Sequence, residues 1–530
     1  MAANKRHNTG ASSLMTGFRL DRKAFVLLAG LAVFSVVIFA PLPSGMNEAS
    51  QRLLAVVLLM AIWWMGEATS ISVTALLPLV LFPTLGIMPS SETAPNYTNH
   101  LVFLFLGGFM IALAMEKWNF HRRVALRIIA IIGTDVRRII LGFMVASAFL
   151  SMWISNTATT MMMLPVAIAV VRQVASEASL RGRRDSDSAR LVEDNLGIVL
   201  MLALAYSASI GGVGTLIGTP SNIVFAGFYN SLYPDYGEIQ FIDWILIAIP
   251  VVILFIPIVW VYLCWFVPSI PLRDIDFGAS GAKTIRRELR GLGPMTGPER
   301  TVAIIFLLTV LLWLFRNPIN VAAVNIPGWS SLFGNPAYLH DATVAMAMGI
   351  ILLLLPVRAG QCSTIGDPDA RTILDWPTVQ KKVPWGILLL FGGGFALADG
   401  FGTTGLDQWI GSHLAGLTAL PTVAMIVIIC LAITFLTELT SNTATTTMIL
   451  PILGAAAVAA NYHPLLLMVP ATMSASFAFM LPVATPPNAI VYGSGWVSIA
   501  RMSRAGIWLN FLGAVLVTSA VIALVRNLST

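Results

Sequence analysis

Two segments 286 residues apart hold the side chains best suited to binding small ions. SNTATTMMMLP at 155–165 and SNTATTTMILP at 441–451 agree at nine of eleven positions, too long a match for apolar bias alone. Ser155, Asn156, Thr157 and Ser441, Asn442, Thr443 offer neutral oxygens to a hard cation such as Na⁺, and hydroxyl or amide donors to an anion. Each triplet also opens a new helical arm, whose free amide N–H groups and positive dipole end favour a carboxylate. One such structure can hold charges of both signs. Downstream, GTPSNIV at 218–224 resembles ATPPNAI at 484–490; upstream, Gly107-Gly108-Phe109 aligns with Gly393-Gly394-Phe395. Pro220 and Pro486 remove helix hydrogen bonds and free carbonyls, including those of Gly218 and Ala484, for a cation, and Thr219 and Thr485 add hydroxyls. The order is the same in both copies, and the last pair is 266 residues apart because a longer charged loop follows the first triplet.

The elements that carry these residues follow from composition. Hydrophobic residues make up 57% of the 530-residue chain, charged residues 11%, and mean hydropathy is +0.83. This is an all-α polytopic membrane protein, with no stretch left for a soluble catalytic or nucleic-acid-binding domain. Its net charge of +6 comes from short basic clusters between apolar runs, the positive-inside pattern rather than a surface for an anionic polymer. Cys264, Cys362 and Cys430 show no metal or redox spacing. No cofactor motif is present, and the lipid bilayer is the expected surrounding.

Charge places the loops. Lys5, Arg6, Arg19, Arg22 and Lys23 keep the N-terminus in the cytoplasm, and the first apolar run, with no convincing cleavage site, is a retained span. Spans at about 24–43, 52–68, 70–89 and 101–116 lead to Lys117, Arg122, Arg123, Arg127, Arg137 and Arg138 inside. The stretch from Ile139 to Val171 has basic loops at both ends, the second with Arg172, Arg181, Arg183, Arg184 and Arg190, so it is expected to be a re-entrant hairpin with its tip at 155–157. A span broken at 211–222 reaches an outer loop with Asp235 and Glu238, and the next returns to a linker with Arg273, Lys283, Arg286, Arg287, Arg290 and Arg300. The second half runs inverted. After spans near 301–316, 343–357 and 385–400, with Arg358, Arg371, Lys381 and Lys382 inside, a second hairpin enters from outside with its tip at 441–443. A span broken at 484–488 and a last span near 505–525 put the C-terminus outside, giving about eleven crossings and two hairpins. Inverted repeats with broken helices are an architecture of secondary transporters, whose sites lie where the halves meet.

Other polar residues carry less. Glu438 lies at membrane depth, where an acid is functional by default; it either supports the site by hydrogen bonding or couples protons, and the absence of a relay around it favours the first. Its counterpart is Met152. Glu67 and Asp399 are expected to be interfacial, and His121 and His463 to be solvated loop residues. The Gly107-Gly108 and Gly392–Gly394 runs lack the following Lys-Ser/Thr of a phosphate loop and suit close helix packing.

Across about residues 50–525 the chain resembles the divalent anion:sodium symporter family of di- and tricarboxylate transporters that includes the INDY proteins. The resemblance rests on the paired SNT motifs, GTPSN, ATPPN and GEATSISVTALLPLVLFPTLGI at 66–87. It implies sodium-coupled symport of a C4-dicarboxylate such as succinate, fumarate or malate across the cytoplasmic membrane, by a homodimer working as an elevator. The scaffold would comprise helices of 24–116 and 243–384, and the moving parts 117–242 and 385–504, flanked by a cytoplasmic tail at 1–23 and a last helix at 505–530. The carboxylate would touch Ser155, Asn156, Thr157, Thr219, Pro220, Ser441, Asn442, Thr443, Thr485 and Pro486. One sodium would use Ser151, Ser155, Asn156 and the Gly218 carbonyl; another would use Thr437, Thr440, Asn442 and the Ala484 carbonyl. Ser221 stands where the second half has Pro487, but the Thr-Pro pair before it is intact. With no Lys or Arg in either motif, sodium and helix ends must supply the positive potential. Sodium-independent exchange, or transport of citrate or sulfate, is the alternative. No HExxH, membrane-embedded GxSxG or paired catalytic acid and histidine supports an intramembrane enzyme, and the hairpins favour alternating access over a channel.

Overall fold

The computed structural model describes residues 21–133, 135–180, 186–269, 280–321, 324–357, 371–414 and 421–528. Lys5, Arg6, Arg19, Arg181, Arg183, Arg184, Arg273, Arg358 and Cys362 fall outside them. Among the described residues, ten helices are long and apolar enough to cross a membrane, and Ile71–Thr84, Asp341–Leu354, Thr422–Thr437 and Leu465–Ala475 are shorter apolar stretches. The expected span at 70–89 is two short helices, Ile71–Ala75 and Leu77–Thr84, divided at Leu76. A short antiparallel pair, Ile319–Val321 with Val324–Ile326, departs from the otherwise helical architecture.

Both SNT motifs sit where a helical hairpin turns. Val136–Ser151 ends, four residues turn, and Asn156–Leu180 begins; Thr422–Thr437 and Asn442–Ala459 repeat this 286 residues later. The downstream helices are broken as expected, Ser186–Gly212 from Pro220–Leu232 and Leu465–Ala475 from Pro486–Tyr492. Pro220 and Pro486, however, occupy the first helical position of the second piece, where a missing N–H costs nothing. They start helices rather than break them. The breaks themselves are the non-helical stretches before them.

Ser186–Gly212 forms the centre. From Ile198 to Ile210 every residue is buried, which suits a run whose polar side chains are confined to Tyr206, Ser207 and Ser209. Both arms of the first hairpin pack on it, and so does Pro486–Tyr492 of the other half. The halves exchange partners: Pro486–Tyr492 also packs on Asn156–Leu180, and Pro220–Leu232 packs on Asn442–Ala459. This exchange brings the two tips to one place. Around it lie Arg22–Phe39 against Glu48–Met65, and His100–Lys117 against Asp341–Leu354. The glycine runs serve close packing: a Cβ on Gly107 would lie 2.6 Å from the Ala345 carbonyl oxygen, and one on Gly393 would lie 2.4 Å from that of Ala75. Cys264 and Cys430 are buried.

The basic stretch after residue 116 differs from expectation. Much of it is an amphipathic helix, Phe120–Ile132, entered through Asn119 at φ +56°. His121 is buried within it, with Nδ1 2.9 Å from the Met115 carbonyl oxygen, so it is not a solvated loop residue. Lys117 and Arg123 are buried too. Lys117 Nζ lies 2.7 Å from Asp375 Oδ2, and Arg123 makes a two-pronged pair with Glu299 while donating to the Gly293 carbonyl at 2.9 Å. Burial of such charges needs partners of this kind. His463 stands in a turn and is half-buried, with Nδ1 accepting from the Leu465 amide. Glu67 is exposed, and Asp399 accepts from Asn96 Nδ2 at 3.1 Å.

Candidate functional site

Each tip is built by its own hairpin and backed by its own half's break. In the first, Ser155 precedes the helix, its Oγ accepts from the Ala158 amide at 3.2 Å, and its carbonyl accepts from Thr159. Asn156 is held from behind: its Oδ1 accepts from Ser151 Oγ at 2.5 Å, and Gly212 approaches so closely that a Cβ there would lie 2.4 Å from the same Oδ1. The second tip repeats the anchor, Asn442 Oδ1 accepting from Thr437 Oγ1 at 2.7 Å. Thr437 Oγ1 also lies 3.0 Å from the Ala475 carbonyl oxygen. Thr440 Oγ1 contacts Thr445 Oγ1 at 2.6 Å and donates to the Leu436 carbonyl.

The breaks are near copies. Thr219 and Thr485 have almost the same backbone, at φ −142°, ψ 145° and φ −140°, ψ 147°. Asn222 donates from Nδ2 to the carbonyls of Gly212 (3.2 Å), Val213 (3.2 Å) and Thr215 (2.7 Å). Asn488, 266 residues on, donates to the corresponding carbonyls of Ala478 and Leu481, both at 3.0 Å. These two buried amides fix the curl of each break, so that the Gly218 and Ala484 residues are held at the tips. Sequence reasoning assigned them no role, although both stand inside the matched GTPSN and ATPPN.

The halves differ in what ties break to tip. In the first, Thr215 Oγ1 donates to the Met152 carbonyl. In the second, Leu481 replaces Thr215 and Glu438 replaces Met152. The Glu438 carboxylate accepts from the amides of Phe479 (2.7 Å), Met480 (2.9 Å) and Leu481 (3.0 Å), and from Asn510 Nδ2 (2.8 Å). Thr215 and Asn510 carried no repeat signal.

A cavity of about 820 Å³ lies between the tips. Ser155, Asn156, Thr157, Gly218, Thr219 and Pro220 line it from one half, and Thr440, Ser441, Asn442, Thr443, Ala484, Thr485 and Pro486 from the other. Of the residues expected at the site, only Ser151 and Thr437 are absent from the wall, standing buried behind Asn156 and Asn442. Phe105, Phe109, Ile217 and Leu390 supply apolar wall. Lys382 is the sole basic lining residue described; it is exposed at the end of the short helix Trp376–Lys382, as Glu67 is exposed on another side. The arrangement offers hydroxyls, amides, helix starts and backbone carbonyls at its inner end, which suits an anion together with hard cations.

Residues 21–528 match the family described as the sodium:sulfate symporter transmembrane region. The chain belongs to this family. It is 41% identical over 499 residues to the sodium-dependent dicarboxylate transporter SdcS of Staphylococcus saprophyticus, covering 94% of this chain and 91% of that protein. The same-named transporter of Staphylococcus aureus is 40% identical over 491 residues, covering 93% and 89%. Membership in this transporter family excludes the enzyme reading. Two solved structures share the fold. The YdaH transporter of Alcanivorax borkumensis aligns with TM-score 0.52 and 13% identity over 81% of this chain and 87% of its own. MtrF of Neisseria gonorrhoeae aligns with TM-score 0.51 and 11% identity over 94% and 93%.

Proposed function

We propose that this protein carries C4-dicarboxylates together with sodium across the cytoplasmic membrane. The observation that carries the reading is the meeting of both SNT tips, each with its Thr-Pro break, on one cavity whose inner wall has oxygens and helix starts but no basic side chain. The two carboxylates of the substrate fit two matched tips, each offering hydroxyl and amide donors. Sodium supplies the missing positive charge, at one site formed by Ser151, Ser155, Asn156 and the Gly218 carbonyl and a second formed by Thr437, Thr440, Asn442 and the Ala484 carbonyl. The likeness to the sodium-dependent dicarboxylate transporters supports this choice of substrate and ion.

The charge rule orients the molecule. Lys381 and Lys382, in the last turn of the helix Trp376–Lys382, belong to the inner side, so the cavity opens to the cytoplasm, with the N-terminus inside and the C-terminus outside. Regions 117–242 and 385–504 carry the tips and move against a scaffold of 24–116 and 243–384, in a homodimer. Uptake of labelled succinate into proteoliposomes tests the function, with an inward sodium gradient, with potassium in its place, and with succinate preloaded. Uptake driven by the sodium gradient and lost in Asn156→Ala and Asn442→Ala is expected. Uptake that needs only internal succinate would make the protein an exchanger. Absence of succinate flux, with flux of citrate or sulfate, would overturn the substrate. Normal transport by both variants would overturn the site.

A further inference from the structure

At the end of the molecule opposite the cavity mouth, three side chains from separate elements converge. His100 opens the helix that runs to Lys117, and Glu116, at that helix's other end, lines the cavity. Their separation of sixteen positions places the two groups about 24 Å apart along the axis. His340 precedes Asp341–Leu354, and its ring meets that of His100 with centroids 4.1 Å apart. Glu238, in the turn between Pro220–Leu232 and Phe241–Trp265, places Oε1 2.9 Å from His340 Nε2 and 3.9 Å from His100 Nε2. All three ligand atoms lie within 4.8 Å of one another.

We propose that His100, Glu238 and His340 form a binding site for a divalent transition metal of the zinc type, fastening the 117–242 region to the scaffold. Two imidazoles and one carboxylate are a ligand set that zinc takes with a fourth position left to water. Bonds of about 2.0–2.2 Å put tetrahedral ligands about 3.3–3.5 Å apart, so the three side chains need shifts of about 1–1.5 Å. His100 and Glu238 are about half exposed and free to make them. Arg316 is paired with Asp341 at 2.7 Å, which leaves the carboxylate of Glu238 as a net negative charge for the ion. His340 Nδ1 accepts from the Ala342 amide at 3.1 Å, so the resting ring carries its proton on Nε2 and donates it to Glu238. Metal at Nε2 requires the ring's proton to move to Nδ1, where it opposes the Ala342 amide, so the helix cap competes with the metal. This describes a site that fills and empties with metal supply. The fastening rests on the proposed division into scaffold and moving regions; the metal site does not.

Zinc chloride is titrated calorimetrically into the purified full-length protein, its affinity tag removed, for wild type, His100→Ala and Glu238→Gln. One zinc per chain, with affinity weakened at least tenfold in each variant, is expected. No zinc binding by wild type, or equal binding by all three, overturns the site. Zinc on both sides of the proteoliposome should slow sodium-driven succinate uptake by wild type and spare His100→Ala. Zinc that binds at these residues without slowing uptake overturns the fastening. Absence of uptake in every sample, even without zinc, counts against the transport reading, and the titration then decides the metal site by itself.

Discussion

Replacing Glu438 with Gln separates a structural carboxylate from a proton carrier. Oε1 accepts from the amides of Phe479 and Met480 and from Asn510 Nδ2, and Oε2 accepts from the Leu481 amide. In Glu438→Gln the amide oxygen serves the first three, and the NH₂ group faces the Leu481 N–H, donor against donor. Losing that charge-assisted bond costs about 2 kcal/mol, and weakening the other three adds about 1 kcal/mol. The stretch so loosened ends at Ala484 and Thr485, on the cavity wall. If all of this appears as lost sodium affinity, about 3 kcal/mol is roughly a 100-fold change. Part of it will appear as lower thermal stability instead. Half-saturating sodium for succinate uptake should therefore rise roughly 10- to 100-fold, with the maximal rate recovered at saturating sodium. Uptake is measured against sodium at several pH values. Unchanged sodium dependence would refute the reasoning, and if pH dependence vanished at the same time Glu438 would be a proton carrier.

Gly218→Ala should reduce uptake at least tenfold, because its Cβ would lie 2.3 Å from the Gly212 carbonyl oxygen and backbone cannot yield as a side chain does. It is compared with wild type at equal protein amounts in proteoliposomes, and uptake by Gly218→Ala near that of wild type would contradict this. The hydrogen bond from His340 holds the Glu238 carboxyl below the ordinary value of 4.5 despite partial burial. A lowered folded-state value means that its stabilisation is complete above 4.5 and is lost as pH falls through the lowered value. Wild type should thus unfold at higher temperature than Glu238→Gln at neutral pH, and the gap should close below 4.5. A gap that persisted in acid would contradict this.

What the sequence made legible was what it wrote twice. The tips, the breaks and the order of elements appear in both halves, so their meeting on one cavity could be anticipated. Asn222 and Asn488 were equally visible in the matched motifs, but a donor that binds two or three carbonyls of the break it follows has no signature in spacing. Charge counting assigned Lys117 and Arg123 a side of the membrane but not their burial, because a basic residue beside an apolar run reads as a solvated loop. Their partners Asp375 and Glu299 lie 258 and 176 residues away, and only folding shows that these charges are paired and buried. His100, Glu238 and His340 have the same problem, since their turns meet only after three helices have been placed.

The unequal ties of the two breaks bear on how the halves work together. Thr215 binds a backbone carbonyl of the first tip with one hydroxyl, whereas Glu438 gathers three backbone amides and Asn510 on the second. Three loop amides on a carboxylate that Asn510 also holds fix a loop more firmly than one neutral bond. Under the proposed reading, the second sodium site is therefore the more preformed, and the first is the one whose ordering depends on ligand. The exchanged packing carries that difference across the molecule, because Pro486–Tyr492 rests on the first hairpin's arm and Pro220–Leu232 on the second's. Filling the firmer site steadies the piece that leans on the looser tip. Under that reading, ions bound at the two tips favour one another without touching, and the anion, held by both tips, benefits from each.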